Sequence, residues 1–339
     1  MHTNIGFDNV EKILHIADVH IRNYKRHKEY RQVFRKLYKE AKQLPKNSLI
    51  YLAGDIVHTK TDISPELVQI VSEFLNKLAN IRPTVVIAGN HDANLNNSSR
   101  LDSLTPIIEN LANENLFYLR DSGIYSIADV DFIVYSVLND SDTWPNAKDS
   151  KSKNRIGVFH GAVNNSKTDA GYTVRDENLP LKTFDGCHMV MLGDIHKYQY
   201  LNKSETVAYA GSLIQQNFGE TFENHGYLIW DVKTRKSEFF NIHNDYGYYT
   251  LRIKDGILPN IDDIPKYPRL RFITENTTQA QIKELLVEIR KKCKVHDFVV
   301  IKGDKLSSVS NNSRGSIAIT KDIRDSEYQS KLIEEHLER

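Results

Sequence analysis

Three five-residue apolar runs, Ile13 to Ala17, Leu49 to Ala53 and Thr84 to Ala88, constrain this chain more than any other feature. Each is rich in bulky side chains and ends in a polar turn, the pattern of a buried strand. Between the first two, Tyr30, Val33, Phe34, Leu37, Tyr38, Ala41 and Leu44 recur at helical spacing. Between the second and third, Ser64 reads as an N-cap and Pro65 as the first turn, with Leu67, Ile70, Val71, Phe74 and Leu78 on one face. Strand, helix, strand, helix, strand is the signature of an α/β fold.

A helix over 100–111 is followed by short strands at Phe117 to Leu119, Ile124 to Ile127, Phe132 to Leu138, Ile156 to His160, Met189 to Leu192, Val207 to Ala210 and Tyr227 to Trp230. These predict a second sheet packed on the first. Polar loops are expected at Asn139 to Asn154 and Gly161 to Pro180. From Leu251 the composition shifts. Strands at Leu270 to Ile273 and Phe298 to Ile301 flank a helix with Thr278 and Gln281 in capping-box positions. The chain therefore reads as a large domain over 1–246, a small one over 247–305, and a mobile linker with a C-terminal helix over 306–339.

Composition enters mainly by exclusion. With 339 residues, 40% hydrophobic and 26% charged, 16 Gly and 9 Pro, collagen-like and wholly disordered chains are ruled out. Cys187 and Cys293 stand alone, which excludes a disulfide framework and a thiolate zinc site and fits a reducing, cytoplasmic setting. No run approaches the ~18 apolar residues of a membrane span. The net charge of +1 argues against binding nucleic acid through bulk charge, but it is a cancellation. From Arg22 to Lys46 there are ten Lys or Arg against Glu29 and Glu40, a local net of +8. That stretch is an amphipathic helix whose basic outer face is either solvated or turned to phosphate.

The chemistry collects at the ends of the apolar runs, where an α/β sheet places its ligands. The first ends in Asp18-Val19-His20, the second in Gly54-Asp55 with His58 close behind, and the third in Gly89-Asn90-His91-Asp92. Later strands end in His160-Gly161 and Gly193-Asp194-Ile195-His196. Alternation within Asp18-Val19-His20 would put both side chains on one side of an extended strand end. Carboxylates, imidazoles and the Asn90 amide oxygen suit Mn2+, Fe2+ or Zn2+. Singly each motif is a common turn; together, five strand ends carry the residue types of a two-metal site.

This ordered set, over residues 18 to 196, resembles the calcineurin-like metallophosphoesterases. Gly54-Asp55-Ile56-Val57-His58 resembles the Gly-Asp-x-x-His of the SbcD/Mre DNA-repair nucleases. Tyr209-Ala210-Gly211-Ser212 followed by Asn217-Phe218-Gly219-Glu220 resembles their Gly-Ser…Phe-Gly-Glu signature. The strand-helix-strand segment after residue 250 is similar to their DNA-capping domain, so the resemblance covers about residues 12 to 303. It implies an α/β fold, a two-sheet metallophosphoesterase sandwich flanked by helices, with a smaller α+β capping domain.

Position by position, the resemblance implies Asp18, His20, Asp55 and His196 as ligands of one metal. Asp55 would bridge to a second metal held by Asn90, His160 and Asp194. It implies His91 as an aid to the leaving group or to the transition-state charge, oriented by Asp92, and His58 as a contact that places the DNA backbone; the plainer readings are a helix cap for Asp92 and a packing role for His58. Asp194 stands where the family carries His; a carboxylate still binds a hard divalent ion and favours Mn2+ or Mg2+. The cofactors implied are two divalent metal ions, Mn2+ foremost, with Mg2+ or Fe2+ as substitutes. The partners implied are DNA, an SbcC/Rad-type ABC ATPase subunit and a second copy of the chain, with no membrane. Tyr328, Leu332, Ile333 and Leu337 give the last helix an apolar strip for a partner or for its own domain. The activity expected is metal-dependent exonuclease or endonuclease cleavage of DNA in repair or recombination. The competing readings are a phosphatase or cyclic-nucleotide phosphodiesterase of the same superfamily, and a non-catalytic scaffold.

Overall fold

The computed structural model describes residues 2–3, 5–97 and 100–302. The linker expected at Leu306 to Ser316 and the helix expected from Asp325, with its apolar strip, lie outside these residues. Two compact units meet in sequence between Asn244 and Asp245.

The first unit opens with β1 (His2–Thr3), β2 (Lys12–Ile16), α1 (His27–Gln43), β3 (Ser48–Ala53), α2 (Pro65–Ala79) and β4 (Thr84–Ile87). There follow α3 (Leu104–Leu111), β5 (Leu116–Tyr118), β6 (Gly123–Ile127), β7 (Val130–Tyr135), β8 (Asn154–His160) and β9 (Met189–Gly193). Two short strands, β10 (Gln199–Tyr200) and β11 (Val207–Tyr209), precede β12 (Gly226–Asp231) and β13 (Lys236–Asn241). A six-stranded sheet runs β13-β12-β2-β3-β4-β5, and a seven-stranded sheet runs β1-β6-β7-β8-β9-β11-β10. Both are mixed: β2 to β5 are parallel, whereas β12 returns antiparallel to β2, with Leu228 opposite His15.

Strand alternation divides the core. Ile13, Leu49, Tyr51 and Val85 face inward to meet Phe132, Val134, Ile156 and Met191 of the other sheet. Leu14, Ile16, Ile50 and Leu52 face outward and are covered by Tyr30, Val33 and Leu37 of α1 and Leu67, Ile70 and Phe74 of α2. Phe34 and Phe74 stack with centroids 4.1 Å apart, locking α1 to α2. The outer face of the second sheet is covered by the loops, through Trp144, Phe184 and Val163. The expected two-sheet sandwich with flanking helices is the architecture found.

Local signals explain the helix ends. The Ser64 hydroxyl accepts from Leu67 N at 3.2 Å, with Pro65 at N1. The helix expected from residue 100 begins only at Leu104, because the Asp102 carboxylate takes the Leu104 and Thr105 amides at 3.0 and 2.8 Å. Sheet membership differs from the linear reading. β5 and β12, expected among the later strands, complete the first sheet.

The second unit contains β14 (Tyr246–Lys254), β15 (Tyr267–Glu275), α4 (Gln279–Lys292) and β16 (Asp297–Lys302), with a parallel sheet in the order β14-β15-β16. Tyr246 pairs with Tyr267 in this sheet. The capping box is formed: Gln281 N donates to Thr278 Oγ1 at 3.3 Å, and Thr278 N to Gln281 Oε1 at 2.8 Å. Ile282, Leu285, Leu286 and Ile289 pack on Leu251, Leu270 and Phe272.

Candidate metal centre

Four of the polar residues beyond the strands adopt positive φ: Asp18 and His20 at 50°, Asp55 at 51° and Asp194 at 94°. Asp18 and His20 are therefore not alternating positions of an extended strand, as expected from the sequence. The strand ends at Ile16, and left-handed turns after it aim both side chains into one point. Asp and His tolerate this conformation better than most residues, and holding it costs about 1 kcal/mol or more at each position. Backbone bonds hold the turns together: His20 N donates to Asp55 O at 2.9 Å, and Ile21 N to Ile56 O at 2.8 Å. Glycine closes the approach from the next strand. A Cβ on Gly89 would collide with the Asp55 carboxylate and lie 2.5 Å from Asp55 N.

The turns bring together seven side chains in two overlapping clusters. In the first, His20 Nε2 lies 3.0 Å from His196 Nε2, which is 4.0 Å from Asp18 Oδ1. In the second, His160 Nε2 lies 3.0 Å from Asn90 Oδ1 and 3.8 Å from Asp194 Oδ1. Asp55 faces both, with Oδ2 3.5 Å from His20 Nε2 and Oδ1 3.3 Å from His160 Nε2. Ligand atoms about 2.0 to 2.2 Å from one cation sit roughly 3 to 3.6 Å from each other, so the spacings of 3.0 to 3.5 Å fit the edges of a coordination shell, whereas the 3.8 Å from His160 to Asp194 and the 4.0 Å from His196 to Asp18 are longer than such an edge. Asp18, His20, Asp55 and His160 are buried, a position that carboxylates and imidazoles hold only when paired or metal-bound.

Outer contacts fix the ring orientations. His160 Nδ1 donates to the Ala53 carbonyl at 2.6 Å and His196 Nδ1 to Glu220 Oε1 at 2.8 Å, so Nε2 of each is turned to the cluster and could ligate a metal. In the sequence, Glu220 stands out only as the end of a signature. Its Oε2 also accepts from Gln216 N at 2.7 Å. A carboxylate after a Gly-Ser turn was the available signal, but no spacing rule links it to a histidine 24 residues away.

The charges balance within the cluster. Burial disfavours charge on His160, yet the Asp55, Asp18 and Asp194 carboxylates hold its pKa well above the ordinary value. Burial likewise opposes protonation of His196, but the bond to Glu220 and its charge push it up to about 9. Burial pushes the Asp18 carboxyl up to about 7 and drives His20 well below the usual histidine range. Protonation of His160 or His196 at Nε2 would block the atom that a cation would take, so metal binding and protonation oppose each other there.

His91 and His58 stand beside the clusters, their rings stacked at 5.5 Å. His91 N donates to Asp55 Oδ1 at 2.8 Å and its Nδ1 to the His58 carbonyl at 2.7 Å. His58 Nδ1 is 3.5 Å from His20 Nδ1, and burial, with Arg22 and His91 nearby, pulls its pKa down to about 3. Asp92 does something other than expected. Its buried carboxylate accepts from Ile56 N at 3.3 Å, Val57 N at 2.9 Å and Gly89 N at 2.9 Å, clamping the two loops instead of orienting the His91 ring. Nor does it cap a following helix, since α3 starts twelve residues later.

No helix among the described residues is long and apolar enough to cross a membrane. Comparison with known proteins places this geometry in a family. Residues 11–198 match the model of the calcineurin-like phosphoesterases. The chain is 43% identical over 319 residues to uncharacterized protein R555 of Acanthamoeba polyphaga mimivirus, covering 91% of this chain and 23% of that protein. It is 26% identical to the SbcD component of the nuclease SbcCD of Staphylococcus saprophyticus over 66% of each chain, and 26% identical to its counterpart in Staphylococcus epidermidis over 66% of this chain and 67% of the relative. The chain thus spans less than a quarter of the mimivirus protein and about two thirds of the staphylococcal proteins. The family is one of phosphoester hydrolases that bind divalent metal, the chemistry that the clustered carboxylates and imidazoles suit. This chain belongs to the calcineurin-like phosphoesterases.

Proposed function

We propose that this chain is a metal-dependent DNA nuclease of the SbcD/Mre type, hydrolysing phosphodiester bonds in DNA repair or recombination. The observation that carries the reading is the 2.8 Å bond from His196 Nδ1 to Glu220. It joins the segment that resembles the SbcD/Mre signature to the ligand cluster itself. Similarity to the two staphylococcal nuclease components supports the same reading.

Two divalent cations, Mn2+ foremost, would be held by Asp18, His20, Asp55 and His196 and by Asp55, Asn90, His160 and Asp194, supplying Lewis acidity that offsets phosphate charge and activates water. The chain's own residues do the rest. The His58 carbonyl fixes the proton on His91 Nδ1, so a proton carried at Nε2 passes to the departing oxygen and leaves the neutral ring still bonded. Asp92 keeps the loops bearing Asp55 and Asn90 in register. His58, stacked on His91, is the residue assigned to the DNA backbone. On this reading the partners are DNA, an SbcC/Rad-type ABC ATPase and a second copy of the chain. The setting is the cytoplasm, that of a host cell given the mimivirus relative.

The test is an assay of end-labelled duplex and single-stranded DNA with Mn2+, Mg2+ or chelator, beside a phosphopeptide and a cyclic nucleotide. Chelator-sensitive shortening of DNA is expected. Turnover of the phosphopeptide or cyclic nucleotide with intact DNA refutes the nuclease in favour of its phosphatase or phosphodiesterase relatives. No turnover and only trace bound metal points to a scaffold.

A further inference from the structure

We propose that the outer face of α1 is a track for the sugar-phosphate backbone of duplex DNA, leading away from the metal centre; the inference rests on the nuclease reading. At 100° per residue, Lys28, Arg35, Lys39 and Lys42 fall within an arc of about 60° on the helix. All four are exposed, and the opposite face, Tyr30, Val33, Phe34, Leu37 and Ala41, is buried on the sheet.

The absence of counter-charge separates this face from an ordinary solvated one. Among the described residues no ion pair is made by any of the four. Of the nearby acids, Glu29 pairs with Arg26 and Glu73 with Arg31, while Glu40 lies about 100° round the helix from Lys39, off this face. A solvated helix face ordinarily mixes signs, because like charges three and four residues apart repel and weaken the helix. Here Arg35, Lys39 and Lys42 follow one another at those spacings, with Lys46 just beyond the helix end. A polyanion laid along the face turns that repulsion into attraction.

Through its buried side, the start of α1 is tied to the loops that carry the candidate ligands. The Tyr30 hydroxyl of α1 donates to the His20 carbonyl, and the Arg26 guanidinium donates to Gln215 O at 2.7 Å and Gln216 Oε1 at 3.2 Å, in the loop that carries Glu220. From Lys28 to Lys42 the helix rises about 21 Å. That length matches about six phosphates of one strand at 3.4 Å each.

The experiment measures duplex binding by fluorescence anisotropy across a salt series, with chelator present to prevent cleavage. It compares the wild type with a variant carrying Lys28→Gln, Arg35→Gln, Lys39→Gln and Lys42→Gln. Glutamine keeps helix propensity, and melting temperature and bound-metal content check that the variant is intact. The slope of log affinity against log salt should fall by about three to four, roughly one for each cation removed, with affinity weakened on the order of 100-fold regardless of sequence. An unchanged slope in the variant of a protein that cuts DNA overturns the track and leaves the nuclease reading standing. A wild type that neither binds nor cuts DNA refutes the nuclease reading, and the track falls with it. Anionic phospholipid vesicles form the last arm: vesicle binding lost in the variant while DNA binding persists also overturns the track.

Discussion

Glu220→Gln isolates what a buried carboxylate contributes behind the proposed metal ligand His196. The Glu220 side chain is 5% exposed, and its two oxygens accept from His196 Nδ1 at 2.8 Å, Asn217 Nδ2 at 2.8 Å and Gln216 N at 2.7 Å. Burial alone would raise this carboxyl, but the His196 bond holds it below its usual range. Glutamine keeps the shape and can keep one oxygen on His196. It loses the charge, and its amide nitrogen must face either the Gln216 amide or the His196 ring N–H, two donors together. Losing an outer partner of this kind costs about 10- to 100-fold in metal affinity, or about 1.4 to 2.8 kcal/mol. An exposed ion pair is worth about 0 to 1 kcal/mol. The low exposure puts Glu220 in the first class. Calorimetric titration of Mn2+ into wild type, Glu220→Gln and Glu205→Gln makes the comparison. Glu205 is half-exposed and 3.6 Å from Lys236, so its variant should match the wild type. A Glu220→Gln protein that melts normally and binds Mn2+ within about threefold of wild type, far short of the loss expected, would refute the argument.

The remaining expectations divide the site by role. Asp55→Ala should lose metal and activity together, because both clusters share that carboxylate; His91→Ala should keep its metal and lose about 100- to 10,000-fold in rate. Metal analysis and turnover separate the two, and retained turnover in Asp55→Ala rejects the whole scheme. Asp194→His should shift preference from Mn2+ toward softer ions in a competition assay, and an unchanged preference and rate would remove Asp194 as a ligand. Gly89→Ala should lower stability by about 1 to 3 kcal/mol and displace Asp55, so a normal urea midpoint with full metal content contradicts the packing. Burial holds His15 down to about 3, with the Leu192 carbonyl 3.2 Å away only partly offsetting it. The unfolded chain takes up a proton that the native state refuses, so this contribution is complete above about pH 6.5 and is lost as pH falls toward about 3. By about pH 5 the loss amounts to about 2 kcal/mol. Because His20 and His58 are held down by burial in the same way, urea melts between about pH 7 and about pH 5 should show a loss about 2 kcal/mol larger in wild type than in His15→Gln; equal losses in both would exclude His15 as the cause.

Much of the fold was legible because local chemistry and tertiary packing agree. Ser64 and Pro65 start α2 with the cap that their types announce, and Thr278 and Gln281 do the same for α4. The apolar runs became β2, β3 and β4, all parallel neighbours. What was not legible depends on distant partners. β13 (Lys236–Asn241) has no apolar run to announce it, because an edge strand half in water needs none. β12 joins the first sheet by pairing with β2 more than two hundred residues away, and no local pattern encodes that choice. At the site, the clustering side chains were readable from strand ends, whereas the left-handed turns, the Asp92 clamp and the Glu220 support were not. Each of these follows from where the backbone amides point, which side-chain identity does not specify.

The positive φ angles at Asp18, His20, Asp55 and Asp194 also govern how this centre should be mutated. A substitution there changes two things at once, the donor atom and the tolerance of the backbone. Valine or isoleucine would add steric cost in the left-handed region to the loss of a ligand, and the resulting phenotype would overstate what coordination is worth. Asparagine accepts that region about as readily as aspartate, so Asp18→Asn and Asp55→Asn remove charge with the turn preserved. The difference between an alanine and a valine variant at one position, neither of which carries a donor atom, then reports mainly on backbone preorganisation, obtained without any change in the metal or the substrate.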